Sequence, residues 1–253
     1  MSGHSRWSKV KHYKGGLDAK RGKIFAKLGK EMSVAAKHGG GDPGFNPRLR
    51  TILMKARAAN MPVENIERAI KKGTGELPGV SYEEITYEGY ALGGVALLVE
   101  LLTDNKNRTA GEIRAIFTKH GGHMAGAGAV KHLFHRKGHI LVSKQQISED
   151  DLMTLALDAG AEDMTTQGDS YEILTDPHQL EPVHKALETK SIKPETAEVS
   201  YLPLTSTPVA DEKTARAVLG LIEALEDNDD VQNVYANFDI PDDIMEKATA
   251  VAA

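Results

Sequence analysis

The sequence predicts a multidomain α and α+β protein: a basic N-terminal three-helix domain followed by two ferredoxin-like α/β domains, one inserted in the other. Charge is strongly segregated, because residues 1–75 hold 17 Lys and Arg against 5 Asp and Glu, whereas the remaining residues hold 14 against 31. Apolar residues recur at helical spacing up to residue 75, and strand-like and helix-like runs alternate beyond it. We therefore expect domains at 1–75, at 82–135 plus 204–240, and at 136–203.

The first residues predict an arm that contacts a polyanion. Residues 2–16 show no helical periodicity, and Trp7 lies between Arg6 and Lys9 within them. Basic side chains release counterions from phosphates, and an interleaved aromatic ring offers a face on which an unpaired base can stack. The alternative is that Trp7 packs into the core of its own domain, as a lone tryptophan near a terminus often does.

A helix is predicted from about Asp18, with a packing face beside a basic face. The packing face is an apolar stripe about 100° wide, formed by Ile24, Phe25, Leu28, Met32 and Ala35. The neighbouring face, which we call the lysine face, carries Lys20, Lys23, Lys27, Lys30 and Lys37. Because few acidic residues are interleaved with these lysines, the lysine face predicts contact with a polyanion. The alternative is a solvated surface.

Two further helices complete the predicted basic domain. Asn46 and Pro47 provide an N-cap and a proline at the first helical position, Met61-Pro62 restarts the chain as a third helix, and Gly73 is suited to end it. The glycine-rich turn at 39–41 lacks the Gly-Lys-Ser/Thr that a nucleotide-binding loop requires. A compact domain of three helices follows from these signals.

The acidic body predicts two α/β domains. We expect strands at 84–90, 95–102 and 129–135 around a helix at 107–119. The β-α-β-β-α-β series between 138 and 201 has the ferredoxin-like order. A strand at 204–208, a helix at about 211–226 and a strand at 231–237 then return to the first of these domains. The segment 136–203 is therefore predicted to be an insertion.

Two clusters of polar residues are candidate ligand sites. Half of the ten histidines lie between residues 120 and 139, but His132 and His135 would face opposite sides of a strand. This favours surface or RNA-facing histidines over a metal site. Asp227, Asp229 and Asp230 follow a predicted helix without the Gly and Glu of a calcium loop. Because acids there oppose the helix dipole, a basic partner is an open alternative. We expect no metal and no cofactor.

Composition narrows the function classes. Cysteine is absent, which excludes disulfides, zinc–thiolate sites and thiol nucleophiles. Neither of the catalytic motifs Gly-x-Ser-x-Gly and His-Glu-x-x-His occurs. We interpret Asp104 as a turn and capping residue and Arg108 as a surface residue in the first turn of a helix. We expect a non-enzymatic protein without a small-molecule substrate. No apolar run approaches the roughly 20 residues of a membrane span, so we expect a cytoplasmic protein without membrane contact.

Short motifs along most of the chain resemble those of the YebC/PmpR family. They include Gly-His-Ser-Arg-Trp at 3–7, Asp-Ala-Lys-Arg-Gly-Lys-Ile-Phe at 18–25, Gly-Gly-Gly-Asp-Pro at 39–43, Asn-Pro-Arg-Leu-Arg at 46–50, Tyr-Glu-Gly-Tyr at 87–90 and Thr-Asp-Asn-Lys-Asn-Arg-Thr at 103–109. The resemblance implies the three-domain fold described above. It also implies a DNA-binding transcriptional regulator, although relatives such as the mitochondrial translational activator of cytochrome oxidase imply action in translation on ribosomes.

The expected partner is nucleic acid, either DNA or structured RNA including the ribosome, and the expected state is a monomer or a weak dimer. The third helix shows no face rich in Asn and Gln, which favours backbone or structured-RNA contact over base readout. The resemblance favours transcription, and a protein–protein adaptor is a third hypothesis. The predicted nucleic-acid-contacting residues are Arg6, Trp7, Lys9, Lys11, Lys14, Lys20, Arg21, Lys23, Lys27, Lys30, Arg48 and Arg50.

Overall fold

The computed structural model describes the backbone of residues 17–250 and the side chains of residues 21–249. The chain divides into two compact units. One unit is formed by residues 134–204, and the other joins residues 17–133 to residues 205–250. Among the described helices, none combines the length and the apolarity needed to cross a membrane.

The larger unit begins with three helices: α1 (Leu17–Gly39), α2 (Pro47–Ala58) and α3 (Val63–Thr74). The Asn46 side chain caps α2 by accepting a hydrogen bond from the Leu49 backbone N–H at 3.0 Å. The same side chain donates to the Ala35 and Gly40 carbonyl oxygens, which ties the end of α1 to the start of α2. The helices share an apolar core that includes Leu28, Met32, Leu49, Ile52, Ile66 and Ala69.

One predicted packing residue of α1 is not in this core. Ile24 is 47% exposed, whereas Leu28 and Met32 are buried. The reason is length, because α1 has 23 residues while α2 and α3 have 12 each. The N-terminal turns of α1 therefore extend past α2 and α3, and none of the described helices buries Ile24.

An antiparallel hairpin follows the helices. Its strands are β1 (Glu83–Tyr90) and β2 (Ala96–Thr103), and α4 (Lys106–Lys119) then leads into the short strand β3 (His123–Ala125). Asn105 caps α4 by accepting a hydrogen bond from the Arg108 backbone N–H. The cap is therefore Asn105, and Asp104 instead pairs with the Arg108 guanidinium at 2.8 Å.

The second unit is a four-stranded antiparallel sheet with two helices. It comprises β4 (Phe134–Ser143), α5 (Glu149–Asp158), β5 (Ala161–Gln167), β6 (Ser170–Thr175), α6 (Leu180–Thr189) and β7 (Thr196–Pro203). The strand order β5-β6-β4-β7 is the ferredoxin-like arrangement. Its core includes Ile140, Val142, Leu152, Ile173, Val183 and Leu187.

The chain then returns to the larger unit. The elements are β8 (Thr207–Pro208), α7 (Glu212–Glu226), β9 (Val231–Ala236), β10 (Phe238–Asp239) and α8 (Asp242–Ala250). Strand β9 joins the first sheet in the order β3-β1-β2-β9. The two central strands of this sheet, β1 and β2, are consecutive in the chain and form a hairpin. In the second sheet the central strands β6 and β4 are not consecutive, so the two strand orders differ. Helices α4 and α7 contribute to its core, which includes Leu97, Val99, Ile113, Phe117, Val218, Ile222 and Val234.

The predicted strand at 129–135 is wrong. The third strand of the first sheet is β3, and residues 126–130 form a loop, because backbone N–H groups in and after this segment bond outside the sheet. The buried Glu88 carboxylate accepts hydrogen bonds from the N–H groups of Gly128 and Val130, both at 2.6 Å, and of Lys131 at 2.9 Å. A short 3-10 helix at Lys131–Leu133 follows, and Phe134 and His135 pair with β7 in the other unit.

Other differences are smaller. The predicted strand at 204–208 is reduced to Thr207–Pro208, which pairs in parallel with β10, and α8 was not predicted. The predicted fold class is confirmed, since an N-terminal helical region is followed by two four-stranded antiparallel sheets, each packed with helices.

Candidate nucleic-acid interface

Half of the predicted contact residues have no described side chain. Arg6, Trp7, Lys9, Lys11 and Lys14 lie outside the described residues, and Lys20 lies in α1 at a position where only the backbone is described. The side chains of the remaining six are described, namely Arg21, Lys23, Lys27, Lys30, Arg48 and Arg50.

Three lysines of the lysine face reach the C-terminal end of α7. Lys27 Nζ lies 2.8 Å from the Glu226 carbonyl oxygen, and Lys23 Nζ lies 3.2 Å from both the carbonyl oxygen and a carboxylate oxygen of Asp227. Lys30 Nζ lies 2.9 Å from the Asp229 carbonyl oxygen and 2.8 Å from Asp230 Oδ1. Residues 226–230, which we call the acidic turn, are thus bound by the chain's own lysines.

The physical basis of this contact is the end of a helix. The last carbonyl groups of α7 lack helical partners and carry partial negative charge, so ammonium groups stabilise them. The lysines are spaced four and three residues apart, which places them along one face of α1. The contact accounts for the acids at the end of α7, whose basic partner is the lysine face. Polyanion binding by Lys23, Lys27 and Lys30 stays a prediction, and any such ligand has to compete with the acidic turn.

Asp230 is the buried centre of the acidic turn. Its side chain is 6% exposed, and it binds Lys30, the Arg108 guanidinium at 2.7 Å and the Thr109 hydroxyl at 2.8 Å. Burial alone would raise the pKa of this carboxyl, but the hydrogen bonds from Lys30, Arg108 and Thr109 outweigh burial and lower the pKa to about 2. Asp230 is therefore ionised across the physiological range and holds α1, α4 and the end of α7 together.

Two of the predicted arginines, Arg48 and Arg50, bind groups outside the acidic turn. Arg48 pairs with Glu84, and the Arg50 guanidinium donates to the carbonyl oxygens of Pro43 at 3.0 Å and Gly44 at 3.1 Å. Arg21 is exposed on α1. Arg48 and Arg50 thus have structural partners within the chain. Their contact with nucleic acid stays a prediction.

Exposed cations that were not in the predicted contact set lie on α3. Arg68, Lys71 and Lys72, which we call the α3 basic cluster, are exposed, and none has a side-chain hydrogen bond or ion pair within the described part of the chain. Exposed Arg57 on α2 shares this property. The sequence feature that could have identified the α3 basic cluster is the occurrence of three cations within residues 68–72, with no acidic residue between them.

The histidines take separate structural roles. His139 Nε2 lies 2.7 Å from Glu172 Oε1, and both side chains are buried. His123 lies against the Tyr90 ring at 5.6 Å, and His132 Nδ1 lies 3.3 Å from the Gly128 carbonyl oxygen. Among residues whose side chains are described, no three His, Asp or Glu are placed to hold a metal ion.

Comparison with known proteins covers almost the whole chain. The family model described as "TACO1/YebC protein N-terminal domain" matches residues 5–76. The model described as "TACO1/YebC second and third domain" matches residues 82–238. The two matched regions are separated by residues 77–81, which lie just before β1, where the helical part passes into the first sheet.

Relatives at high identity carry a common description. Proteins named "Probable transcriptional regulatory protein" include one from Persephonella marina, 54% identical over 98% of this chain and 100% of the relative. Another, from Geobacter sulfurreducens, is 57% identical over 98% of this chain and 99% of the relative. The crystal structure of a conserved hypothetical protein from Aquifex aeolicus is 49% identical, covers 90% of this chain and 93% of that chain, and superposes with a TM-score of 0.81. The chain belongs to the TACO1/YebC family.

Proposed function

We propose that this protein is a non-enzymatic, nucleic-acid-binding regulator of gene expression that binds through its helical N-terminal part. The observation that carries the proposal is charge segregation, with 17 Lys and Arg against 5 Asp and Glu in residues 1–75. The acidic remainder would be repelled by phosphate, so contact is confined to one end. The name shared by the relatives from Persephonella marina and Geobacter sulfurreducens supports a role in transcription.

Among the residues whose side chains are described, the α3 basic cluster is the strongest candidate for phosphate contact. Its three side chains are exposed and have no partner within the described residues, so binding phosphate would not require breaking an internal ion pair. Lys23, Lys27 and Lys30 differ in this respect, because each already binds the acidic turn. We expect the α3 basic cluster, together with the basic residues before α1, to account for most of the salt-dependent affinity.

Structured RNA, including ribosomal RNA, is the second candidate ligand. A helix that reads the major groove presents its N-terminal residues to the base edges. In α3 those exposed residues are Val63, Glu64 and Glu67, whose side chains have no hydrogen-bond donor to offer a base edge. This arrangement favours backbone contact or RNA over base readout by α3.

Binding titrations at several salt concentrations test the proposal. The ligands are a short DNA duplex and a ribosomal RNA hairpin, and the variant is Arg68→Gln/Lys71→Gln/Lys72→Gln. We expect weaker binding and a salt slope that falls by roughly 0.7–0.9 for each phosphate that the variant no longer neutralises. The control is Lys185→Gln/Lys190→Gln, which removes exposed charges from α6 and from the residue that follows it, and it should leave the slope unchanged.

Two outcomes would contradict the proposal. If the two variants weaken binding equally, affinity depends on the net charge of the protein and not on a binding surface in the helical part. Retention of the protein on ribosomes or on nucleoid fractions after nuclease digestion would support a protein–protein adaptor instead. Comparable affinity for all duplex sequences, with a steep salt slope, would exclude specific operator recognition while leaving nucleic-acid binding intact.

A further inference from the structure

A groove runs between α1, α3 and the segment 78–82 that follows α3. It encloses about 660 Å³, within the range of roughly 300–1,000 Å³ typical of ligand sites. Asn65, Arg68 and Lys72 line its α3 wall, and their spacing places them on one face of the helix. Opposite them, Gly29 and Ser33 of α1 are small enough to leave the space open.

The third wall is held in place by contacts with α3. The Leu77 backbone N–H donates to the Lys71 carbonyl oxygen at 3.1 Å, which turns the chain back along the helix. A Cβ atom at Gly79 would lie 3.2 Å from Lys72 Cβ and Cγ, so this residue packs directly on the lysine stem. The groove is thus bounded by packed backbone and not only by surface side chains.

The charge of the groove selects an anionic occupant. Lys30, Arg68 and Lys72 line it, and no Asp or Glu is among the described residues of its lining. The Lys30 charge is compensated by Asp230. Arg68 and Lys72 have no hydrogen bond or ion pair among the described side chains, so their positive charge is available to a ligand.

The remaining lining selects an occupant with a flat apolar surface. Phe25 and Tyr82 are partly exposed and bring two aromatic rings to the groove, and Val80 is 56% exposed. Lys30 Nζ lies 5.5 Å from the centroid of the Tyr82 ring, a cation–π contact that orients this ring. Asn65 adds an amide, which can donate to and accept from a base edge.

We propose that this groove holds an unpaired nucleotide of a single strand or loop, with its phosphate on Arg68 and Lys72 and its base against Phe25 and Tyr82. The proposal rests on the proposed function and adds a site and a ligand class to it. A duplex keeps its bases stacked inside and presents a convex backbone, so it cannot place a base in the groove. An acidic peptide would satisfy the charges but offers no flat ring unless it contains aromatic residues.

Anisotropy titrations with two labelled probes test the groove. The probes are an oligouridylate, which has no stable secondary structure, and a blunt duplex RNA of equal charge. Tyr82→Leu should weaken oligouridylate binding by about 5- to 100-fold, the range expected for loss of one stacked base, and leave duplex binding unchanged. Tyr82→Phe, which keeps the ring, should bind both probes as the unchanged protein does.

A matched pair of charge variants separates the groove from general electrostatics. Arg68→Gln removes a cation that lines the groove, and Lys71→Gln removes a cation from the same helix outside the lining. Arg68→Gln should weaken oligouridylate binding more than duplex binding, whereas Lys71→Gln should weaken both probes equally. Crosslinking of 4-thiouridine RNA to the unchanged protein should recover a peptide that contains Phe25 or Tyr82, a readout that does not depend on the folding of any variant.

The outcomes distinguish the groove from the proposed function. If the unchanged protein binds neither these probes nor the DNA duplex, both proposals fail; if it binds only the DNA duplex, the groove proposal fails and the proposed function stands. If it binds both probes but Tyr82→Leu has no effect and crosslinks fall elsewhere, the groove proposal is wrong and nucleic-acid binding stands. If a labelled acidic peptide binds in a Tyr82-dependent manner and displaces no RNA, the groove is a peptide site.

Discussion

Gly73 shows how a single residue sets the approach of two helices. A Cβ atom at this position would lie 2.3 Å from the Ser33 carbonyl oxygen and 2.8 Å from Ala36 Cβ. Sequence patterning predicts Gly73 as the residue that ends α3, but the helix continues to Thr74, and Gly75 has the left-handed conformation, with φ of 82°. The glycine at 73 is therefore required by packing and the glycine at 75 by capping.

Replacing this glycine should destabilise the helical part. We expect Gly73→Ala to lower the free energy of unfolding by about 1–3 kcal/mol, because the added methyl group overpacks the contact between α1 and α3. Urea denaturation followed by circular dichroism measures the effect. The matched control is Gly111→Ala in α4, where a Cβ atom meets nothing within 4 Å. Alanine there should be neutral or stabilising by about 0.5–1 kcal/mol, and equal losses for both variants would contradict the packing explanation.

Ionised Asp230 should make the free energy of unfolding depend on pH in the acidic range. Its folded-state pKa of about 2 lies below the ordinary 3.8, so the unfolded chain binds a proton first as pH falls. The stabilisation is complete above about pH 4 and is lost as pH falls through about 2. We expect Asp230→Asn to lower the unfolding free energy at neutral pH by roughly 2–3 kcal/mol and to flatten the decline below pH 4. Urea denaturation across this range measures both effects.

Asp229→Asn is the control for this experiment. Asp229 lies in the same acidic turn, but its side chain is exposed, and only its carbonyl oxygen binds Lys30. The substitution should change neither the stability at neutral pH nor its decline in acid. An unchanged acid profile in Asp230→Asn would show that other carboxylates control acid unfolding.

At the scale of elements, α1 makes contacts through two of its faces. Its apolar stripe meets α2 and α3, and its lysine face binds the end of α7, which lies about two hundred residues further along the chain. The contacts differ in burial. Lys23 and Asp227 are 48% and 71% exposed, whereas Lys30 and Asp230 are 16% and 6% exposed. The second pair should therefore stabilise the structure far more than the first.

Single substitutions on the lysine face should show that the buried ion pair contributes more to stability than the exposed one. We expect Lys30→Ala to cost about 2–3 kcal/mol of unfolding free energy, because it leaves the buried Asp230 carboxylate with one cation fewer. Lys23→Ala should cost about 0.5 kcal/mol or less, because an exposed pair is screened by water and salt. Chemical denaturation at low and high salt measures both effects. A loss for Lys23→Ala as large as that for Lys30→Ala would contradict this ranking.

Most elements could be predicted from sequence because their signals are local. Asn46 and Pro47 marked the start of α2, and the apolar run at 95–102 marked β2. The error at 129–135 has a non-local cause, because Glu88, some forty residues away, binds the backbone N–H groups of that segment. Nothing in the spacing of residues 129–135 reveals this competing acceptor. The candidate interface was harder to predict, since the partners of the lysine face lie on a distant helix.

At the scale of the whole molecule, residues 134–204 form a unit with its own sheet and core. Phe134 pairs with Pro203 at the ends of β4 and β7, so the chain enters and leaves the unit at adjacent positions. Adjacent ends are what allow a domain to be inserted into another without disturbing it. We propose on this basis that the unit folds independently of the rest of the chain.

A fragment of residues 134–204 tests this independence. We expect it to unfold cooperatively and to give a dispersed amide NMR spectrum, because its core side chains pack within the fragment. The complementary protein, with this segment replaced by a short Gly-Ser linker, should keep its helical content and bind nucleic acid through the α3 basic cluster. A fragment that stays unfolded would show that the unit depends on the rest of the chain.

The sequence by itself determined the helices and strands, the caps and the division of charge, since periodicity and capping act over a few residues. Only the tertiary structure decided which charges remain available to a ligand. It brings the acidic turn to Lys23, Lys27 and Lys30, leaves Arg68, Lys71 and Lys72 exposed, and closes segment 78–82 against α3. The physical reason is that an ion pair depends on distance in space, which spacing along the chain does not define.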